Sequence, residues 1–310
     1  MNPTELYREV IRVRLSQLFI NELIKKKEFK IPLHLALGHE AIAVAVSSIM
    51  DNNKDQLLLS HRNVHYNLAR EKSLRPLIDE YYLKKSGLGE GKLGSMNLNN
   101  PKKDIPYTSS ILGNNLSVAS GLALAKKVNN DKSLVIVVTG DGAIEEGSFY
   151  ENCLFMKSNN LSSMIIVENN QWSLATSIKE RRCDINLQSF CESMGIKYLY
   201  LSKNDVNDYA LKIKTLKEYS IRNNAPVCIE VECTTFGFWW TETENSSLKR
   251  FINYHHGEAS PQHLSTLYSL PIIEKNDKDP IFVLKKYLTE ENISSISQEE
   301  HKKILEDGSI

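Results

Sequence analysis

Several things are scarce in this chain. Its five cysteines, Cys153, Cys183, Cys191, Cys228 and Cys233, include no Cys-x-x-Cys pair, and their number is odd. That speaks against a disulfide framework and for a reducing compartment, so a cytoplasmic location is expected. No apolar run reaches the roughly 18 residues that a membrane-spanning helix needs, so no membrane association is expected. Neither sign of charge is in excess, with Lys+Arg and Asp+Glu at 38 each. A basic surface of the kind that binds nucleic acid is therefore not expected. Internal repeats and low-complexity tracts are absent too. The opening MNPTELYREVIRVRLSQLF carries acidic residues from its start and reads as an amphipathic helix rather than a secretory signal.

What is present is an ordinary globular composition over 310 residues, 41% hydrophobic and 25% charged. Helical patterns start at Thr4, after Gly38 and over 64–85, and DQLLLSHRN between them reads as a short buried strand with a polar, basic tip. Residues 86–109, rich in Gly, Asn, Pro and Ser, read as a long loop. From there the pattern is α/β. SLVIVVTG, SSMIIVEN and PVCIEVEC are apolar, β-branched runs, as expected of strands buried on both faces. SFYENCLFMKSNN, with Phe149, Cys153 and Met156 on one face, reads as a crossover helix, and another falls near 205–222. This alternation implies a parallel β-sheet flanked by helices, with ligands beyond the carboxyl ends of its strands. Residues 1–270 are read as one α/β domain and 271–310 as a C-terminal tail of helical character.

Two motifs fall at such strand ends, TGDGAIEE at 139–146 and VENNQW at 167–172. Gly140 and Gly142 let backbone N–H groups approach phosphate oxygens with no Cβ in the way. The helix start that follows favours an anion. Asp141 offers the single carboxylate typical of a magnesium ion shared with a phosphorylated ligand, and Asn170 an amide oxygen. Either motif alone is most simply a turn. At consecutive strand ends, with a crossover helix between them, the pair favours a magnesium diphosphate.

GDGAIEEGSFYEN through VENNQW resembles the thiamine-diphosphate fingerprint. More narrowly, it is similar to the α subunit of the heteromeric 2-oxoacid dehydrogenase first component, of the pyruvate, branched-chain and acetoin types. LGHEAIAV, SHRNVHYNLARE, GEGKLGSMNL and SILGNNLSVASGLALAKK extend the likeness over about 5–235. The resemblance implies a thiamine-diphosphate-binding α/β fold. It implies magnesium held by Asp141, the Asn170 side chain and the Trp172 carbonyl oxygen, and diphosphate held by Arg62 and the backbone of Gly142 and Ala143. Ile111 and Leu112 match the loop that contacts the aminopyrimidine, with Leu112 holding the cofactor bent. It also implies a β-type subunit that carries the pyrimidine-binding domain and the activating glutamate, an α2β2 heterotetramer, and a lipoyl carrier protein as acyl acceptor. Alone, the chain is expected to be inactive.

Three departures concern the reaction. Asn97 stands where the family has a histidine after Ser-Met, and His61 where it has a tyrosine before the arginine. GFWWTETENS replaces a Gly-His-Ser loop. Asparagine shuttles no proton at neutral pH. His65 and His61 are the candidate replacements, with His255 and His256 as further ones in an unaligned segment. Phe238, Trp239 and Trp240 form an aromatic cluster, to be read as substrate platform, partner interface or core. Three functions remain open at this point: a 2-oxoacid dehydrogenase subunit, a carboligase or transketolase-like transferase with the same cofactor and partner, and a non-catalytic assembly subunit.

Overall fold

The computed structural model describes residues 2–242, 249–259 and 267–308. Helix α1 (Pro3–Lys25) starts ahead of Thr4, because Asn2 Oδ1 accepts from the Thr4 N–H at 3.2 Å and Pro3 suits a first helical turn. Helix α2 (Glu40–Ile49) and strand β1 (Gln56–Ser60) follow. The single helix expected over 64–85 is two, α3 (Val64–Glu71) and α4 (Arg75–Tyr81). Lys72 breaks it at φ +67, and Pro76 offers no N–H to continue it.

The loop expected over 86–109 ends in a strand, β2 (Tyr107–Ser109). Its glycine-rich part is gathered by one buried carboxylate. Glu80 accepts from the N–H groups of Gly89, Gly91, Leu93 and Gly94 at 2.8–3.0 Å. Beyond it come α5 (Asn114–Val128), β3 (Val135–Gly140), α6 (Gly147–Ser158) and β4 (Ser163–Asn169). A small hairpin, β5 (Trp172–Ser173) and β6 (Thr176–Ser177), leads into the short helix α7 (Ile178–Arg181). Then follow α8 (Leu187–Ser193), β7 (Lys197–Leu201), α9 (Val206–Asn223), β8 (Pro226–Glu232) and the hairpin β9 (Phe238–Glu242) and β10 (Lys249–Asn253). A last helix, Glu290–Gly308, lies along α1, where Arg8 donates to both Glu299 and Glu300 at 2.8 Å.

Six strands form one parallel sheet in the order β2-β1-β3-β4-β8-β7. Its apolar runs are continuous because alternate residues enter different cores. Ile136, Val138, Met164 and Ile166 join α1, α2 and α9 on one face. Val135, Val137, Ile165 and Val167 join α5, α6 and α8 on the other. The first core is crossed by a fully buried ion triad. Arg14 donates to Glu40 at 2.6 and 3.0 Å and to Asp279 at 3.0 Å, tying α1 to α2 and to the C-terminal segment.

The chain leaves β1 toward β2 on one side and adds β3 on the other. This reversal makes the carboxyl ends of β1 and β3 the topological switch point, the usual crevice for a ligand.

Candidate active site

At that switch point the strand ends open into a cavity of about 300 Å³. The end of β1 contributes His61 and Arg62, and the loop after β2 contributes Ile111 and Leu112. Residues Gly140 to Ala143 follow β3, and Glu168, Asn170 and Trp172 come from β4 and the hairpin after it. Every cofactor-binding candidate from the sequence thus lines one cavity. His65 does not; it lies fully buried behind the wall.

Asp141 is placed by the β3–β4 register, Gly140 opposite Glu168, and by its N–H donating to the Glu168 carbonyl at 3.2 Å. Its carboxylate is 2% exposed and pairs with Arg181 Nη2 at 2.5 Å. Burial raises the Asp141 carboxyl above its ordinary pKa, while Arg181 pulls it down. Arg181 also reaches Glu145, which Arg182 Nε meets at 2.9 Å. The short helix α7 that carries Arg181 is fixed by a capping box between Ser177 and Glu180. A cation therefore already sits against the carboxylate in this chain, and it is a guanidinium.

Asn170 is oriented from both ends of its amide. Its Oδ1 accepts from the Trp172 N–H at 3.1 Å, and its Nδ2 donates to Thr235 Oγ1 at 3.0 Å. Gly142 permits a close approach: a Cβ there would lie 2.9 Å from Ser173 Oγ and 3.5 Å from Leu112 Cδ2. Gly113 has φ +72, and a Cβ on it would meet Ser148 Oγ at 2.4 Å. Glycine at these two sites lets the Leu112 loop and the β5–β6 hairpin close on the backbone that follows Asp141.

Arg62 is the notable charge. It is 8% exposed, and it donates to the carbonyls of Leu35 and, at 3.0 Å, of His255. Its guanidinium lies 5.8 Å from the Tyr254 ring centroid. Among the described residues no carboxylate forms an ion pair with it. Burial lowers its pKa, with Glu168 and Asp141 opposing that through space. A buried guanidinium at a cavity wall without a counter-ion is built to receive an anion.

Glu168 anchors the floor. Its Oε1 accepts from Tyr66 Oη at 2.9 Å and contacts His65 Nε2 at 3.0 Å, and its Oε2 contacts His39 Nδ1 at 3.1 Å. His39 Nε2 continues to Thr235 Oγ1 at 2.8 Å, which links this network to Asn170. Burial alone would raise the Glu168 carboxyl, but the two histidines hold it far below its usual range. Burial pushes His65 down.

A second group of histidines lines the wall. His34, His61 and His255 have ring centroids 4.9–5.7 Å apart. Burial, with Arg62 next in effect, pushes His34 down to about 2, His61 to about 4 and His255 to about 3. All three are neutral imidazoles at neutral pH. Asn97, which has no proton to shuttle, accepts from the Ser110 N–H at 3.0 Å and braces the Ile111–Leu112 loop.

Sequence reading missed Glu168, His34, His39 and Arg181, and left His255 unplaced. One signal was there for Glu168, a carboxylate within the apolar run of β4. His34 and His39 flank LALG in LHLALGHE, with nothing local to mark them. His255 follows a hairpin that no pattern aligned, and Arg181 is one of several basic residues in KERR.

A family model, the dehydrogenase E1 component, matches residues 8–267. The chain belongs to that family. Relatives within it include the pyruvate dehydrogenase E1 component subunit alpha of Rickettsia bellii, 25% identical over 84% of this chain and 74% of that protein. The mitochondrial counterpart of Chaetomium thermophilum is 26% identical over 75% of this chain. The chain spans 56% of that subunit's length. A transketolase mutant of Pichia stipitis, crystallised with xylulose 5-phosphate, superposes with a TM-score of 0.62 at 16% identity, over 99% of this chain and 46% of that one. At that identity the likeness concerns the fold, the six-stranded parallel sheet flanked by helices. The cavity lies where this fold places ligands.

Proposed function

We propose that this chain is the α-type subunit of a heteromeric thiamine-diphosphate-dependent 2-oxoacid dehydrogenase, and that its cavity holds the magnesium-diphosphate half of the cofactor. The observation that carries this reading is the buried, unpaired Arg62 on the same cavity wall as the Asp141–Asn170 pair. One is a built anion site, and the other is a hard-oxygen donor set for a cation. Magnesium would be held by Asp141, the Asn170 side chain and the Trp172 carbonyl oxygen. The diphosphate would be held by Arg62 and the N–H groups of Gly142 and Ala143. Magnesium at this site would compete with Arg181 for the Asp141 carboxylate, while Glu145 remains a second partner for the guanidinium.

When bound, thiamine diphosphate supplies the electron sink for cleaving the carboxylate from a 2-oxoacid. The chain's own part is to bind, orient and exclude water. Leu112, whose Cδ2 would lie 3.5 Å from a Cβ on Gly142, would brace the cofactor from the β2 side. His61 and His255 offer neutral ring nitrogens at the cavity wall as hydrogen-bond partners for a bound 2-oxoacid.

The cavity is half a site. Its lining carboxylates are Asp141 and Glu168 among the described residues, and Glu168 is already saturated by three partners. Neither is free to activate a pyrimidine, while Ile111 is 65% and Leu112 43% exposed. A β-type subunit supplying that glutamate and covering those side chains fits both facts, in an α2β2 heterotetramer with a lipoyl carrier as acyl acceptor. The engagement of Asn97 with Ser110 favours, as a second reading, a carboligase on the same scaffold, which needs no transfer to a lipoyl group.

The test of the cofactor reading is calorimetric titration of the chain with thiamine diphosphate and magnesium. Saturable binding that needs magnesium and is lost in Asp141→Ala supports it. Binding indifferent to both magnesium and Asp141 would overturn it.

A further inference from the structure

The hairpin β9–β10 stands outside the six-stranded sheet and presents two unlike faces. Its register sets Trp240 opposite Phe251 and Phe238 opposite Asn253, so Phe238, Trp240 and Phe251 share one face. Trp239 and Ile252 take the other. There Ile252 is buried, and the Trp239 ring lies 6.3 Å from Tyr254 and 5.5 Å from His256. A lone two-stranded hairpin is marginal in water, and this one is pinned at both ends. Gly237 enters β9 at φ +115, where a Cβ would lie 3.1 Å from Tyr254 Cβ and 3.2 Å from Ala259 Cβ. Arg250 donates to Glu180 at 2.6 Å and to the Ala175 carbonyl at 3.0 Å, tying β10 to α7 and to the β5–β6 turn. The outer rings are thus held in place, 5.6–6.2 Å apart, yet they are 37–55% exposed.

Of the three roles open to this cluster, two fail. The outer rings are not core, because they face solvent. They are not a substrate platform either, since none of them lines the cavity. An interface remains, and its position names the occupant. Trp172 lines the cavity and lies 6.0 Å from Phe251, so the rings adjoin the cavity mouth. On the mouth itself Ile111, Leu112 and Leu174 are exposed as well. Fourteen large hydrophobic side chains are exposed among the described residues, and six of them fall on this one stretch of surface. Together they bare on the order of 500 Å², near the top of the range for a monomer's largest apolar patch. That is more than half of the roughly 800 Å² each partner gives to a standard interface. The cavity has no free carboxylate to activate a pyrimidine, so the chain that completes it must cover this mouth and meet the adjoining rings.

We propose that the outer face of β9–β10 is a docking surface for the β-type subunit, with Trp240 as its anchor and Phe238 and Phe251 beside it. The interface runs from there across the mouth to the Leu112 loop. The surface it fits is an apolar or aromatic pocket with few charges at its centre, as a buried indole requires. The inference rests on the reading of this chain as an α-type subunit.

The test is dissociation of the complex between this chain and its β-type subunit, followed by sedimentation velocity over a dilution series. Trp240→Ala should weaken association about thirtyfold or more, the loss that marks an anchor residue. Phe251→Ala should weaken it about tenfold, and it carries the test if Trp240→Ala does not fold by circular dichroism. Leu211→Ala, at a more exposed side chain on α9, should leave association unchanged. Trp240→Ala alone in solution should still bind magnesium with inorganic diphosphate as wild type does, because its ring lines no part of the cavity. Association within about threefold of wild type in both aromatic variants overturns the proposal and leaves the α-type reading standing. So does a loss matched by Leu211→Ala, a loss of magnesium-diphosphate binding in Trp240→Ala, or a loss seen only in self-association of this chain. A wild-type chain that forms no complex with the β-type subunit overturns the reading and the proposal together.

Discussion

Replacing Arg62 by methionine keeps an unbranched apolar stem and removes the guanidinium with its charge. Two opposite effects should follow. In the empty protein, the carbonyls of Leu35 and His255 lose a donor, at about 1–3 kcal/mol for each group left unsatisfied. Against this, a buried cation with no carboxylate partner is removed, which relieves a desolvation penalty of several kcal/mol. The two nearly cancel, so stability in urea should change by less than about 2 kcal/mol. Binding has no such compensation. A guanidinium about 4 Å from a phosphate charge is worth about 4 kcal/mol at an effective dielectric of about 20. Magnesium offsets part of that, leaving about 3 kcal/mol, on the order of a hundredfold in affinity. Magnesium plus inorganic diphosphate is the probe, since the half-cofactor needs only this chain, and calorimetry is the assay. Affinity within about threefold of wild type, together with a stability loss above about 3 kcal/mol, would show that Arg62 is a strut and refute the reasoning.

Arg181→Ala frees the Asp141 carboxylate from its guanidinium, so manganese(II), read by electron paramagnetic resonance, should bind several-fold more tightly; unchanged or weaker binding would mean that Arg181 does not compete for the site. Arg14→Met strands Glu40 and Asp279 in the core and should cost about 3–5 kcal/mol in denaturant unfolding, whereas a loss under about 1 kcal/mol would mean the triad is not a working ion network. His34 has a folded pKa of about 2, below its ordinary 6.5, so its contribution is complete above 6.5 and is lost as pH falls toward the folded value. Wild type should therefore lose stability from pH 7 to pH 5 more steeply than His34→Gln; equal slopes would remove His34 from the titration.

How much of this was legible depended on distance along the chain. The sheet could be read because its strands are buried on both faces and so appear as unbroken β-branched runs. The Asp141–Asn170 pair could be read because both ends lie within one crossover unit. The divided helix at Lys72 was missed because a φ of +67 at a lysine leaves no trace in composition. β2 was missed because a short strand at a sheet edge, inside a loop rich in turn formers, has too little apolar pattern to register. The walls of the cavity escaped for a different reason. Glu168 bonds His39 across β4, and Arg62 reaches the backbone of His255, nearly the length of the domain away. Only the closed fold states such pairs. His65 looked eligible beside Arg62, yet α3 turns its ring inward onto Glu168.

The measurement closest to the central claim is carbon dioxide release from a panel of 2-oxoacids by this chain co-purified with its β-type partner, with thiamine diphosphate, magnesium and an artificial electron acceptor. A dehydrogenase subunit gives release that requires the acceptor and disappears in Asp141→Ala. Release without an oxidant, quickened by an added aldehyde, or cofactor binding with no release from any acid, would contradict it.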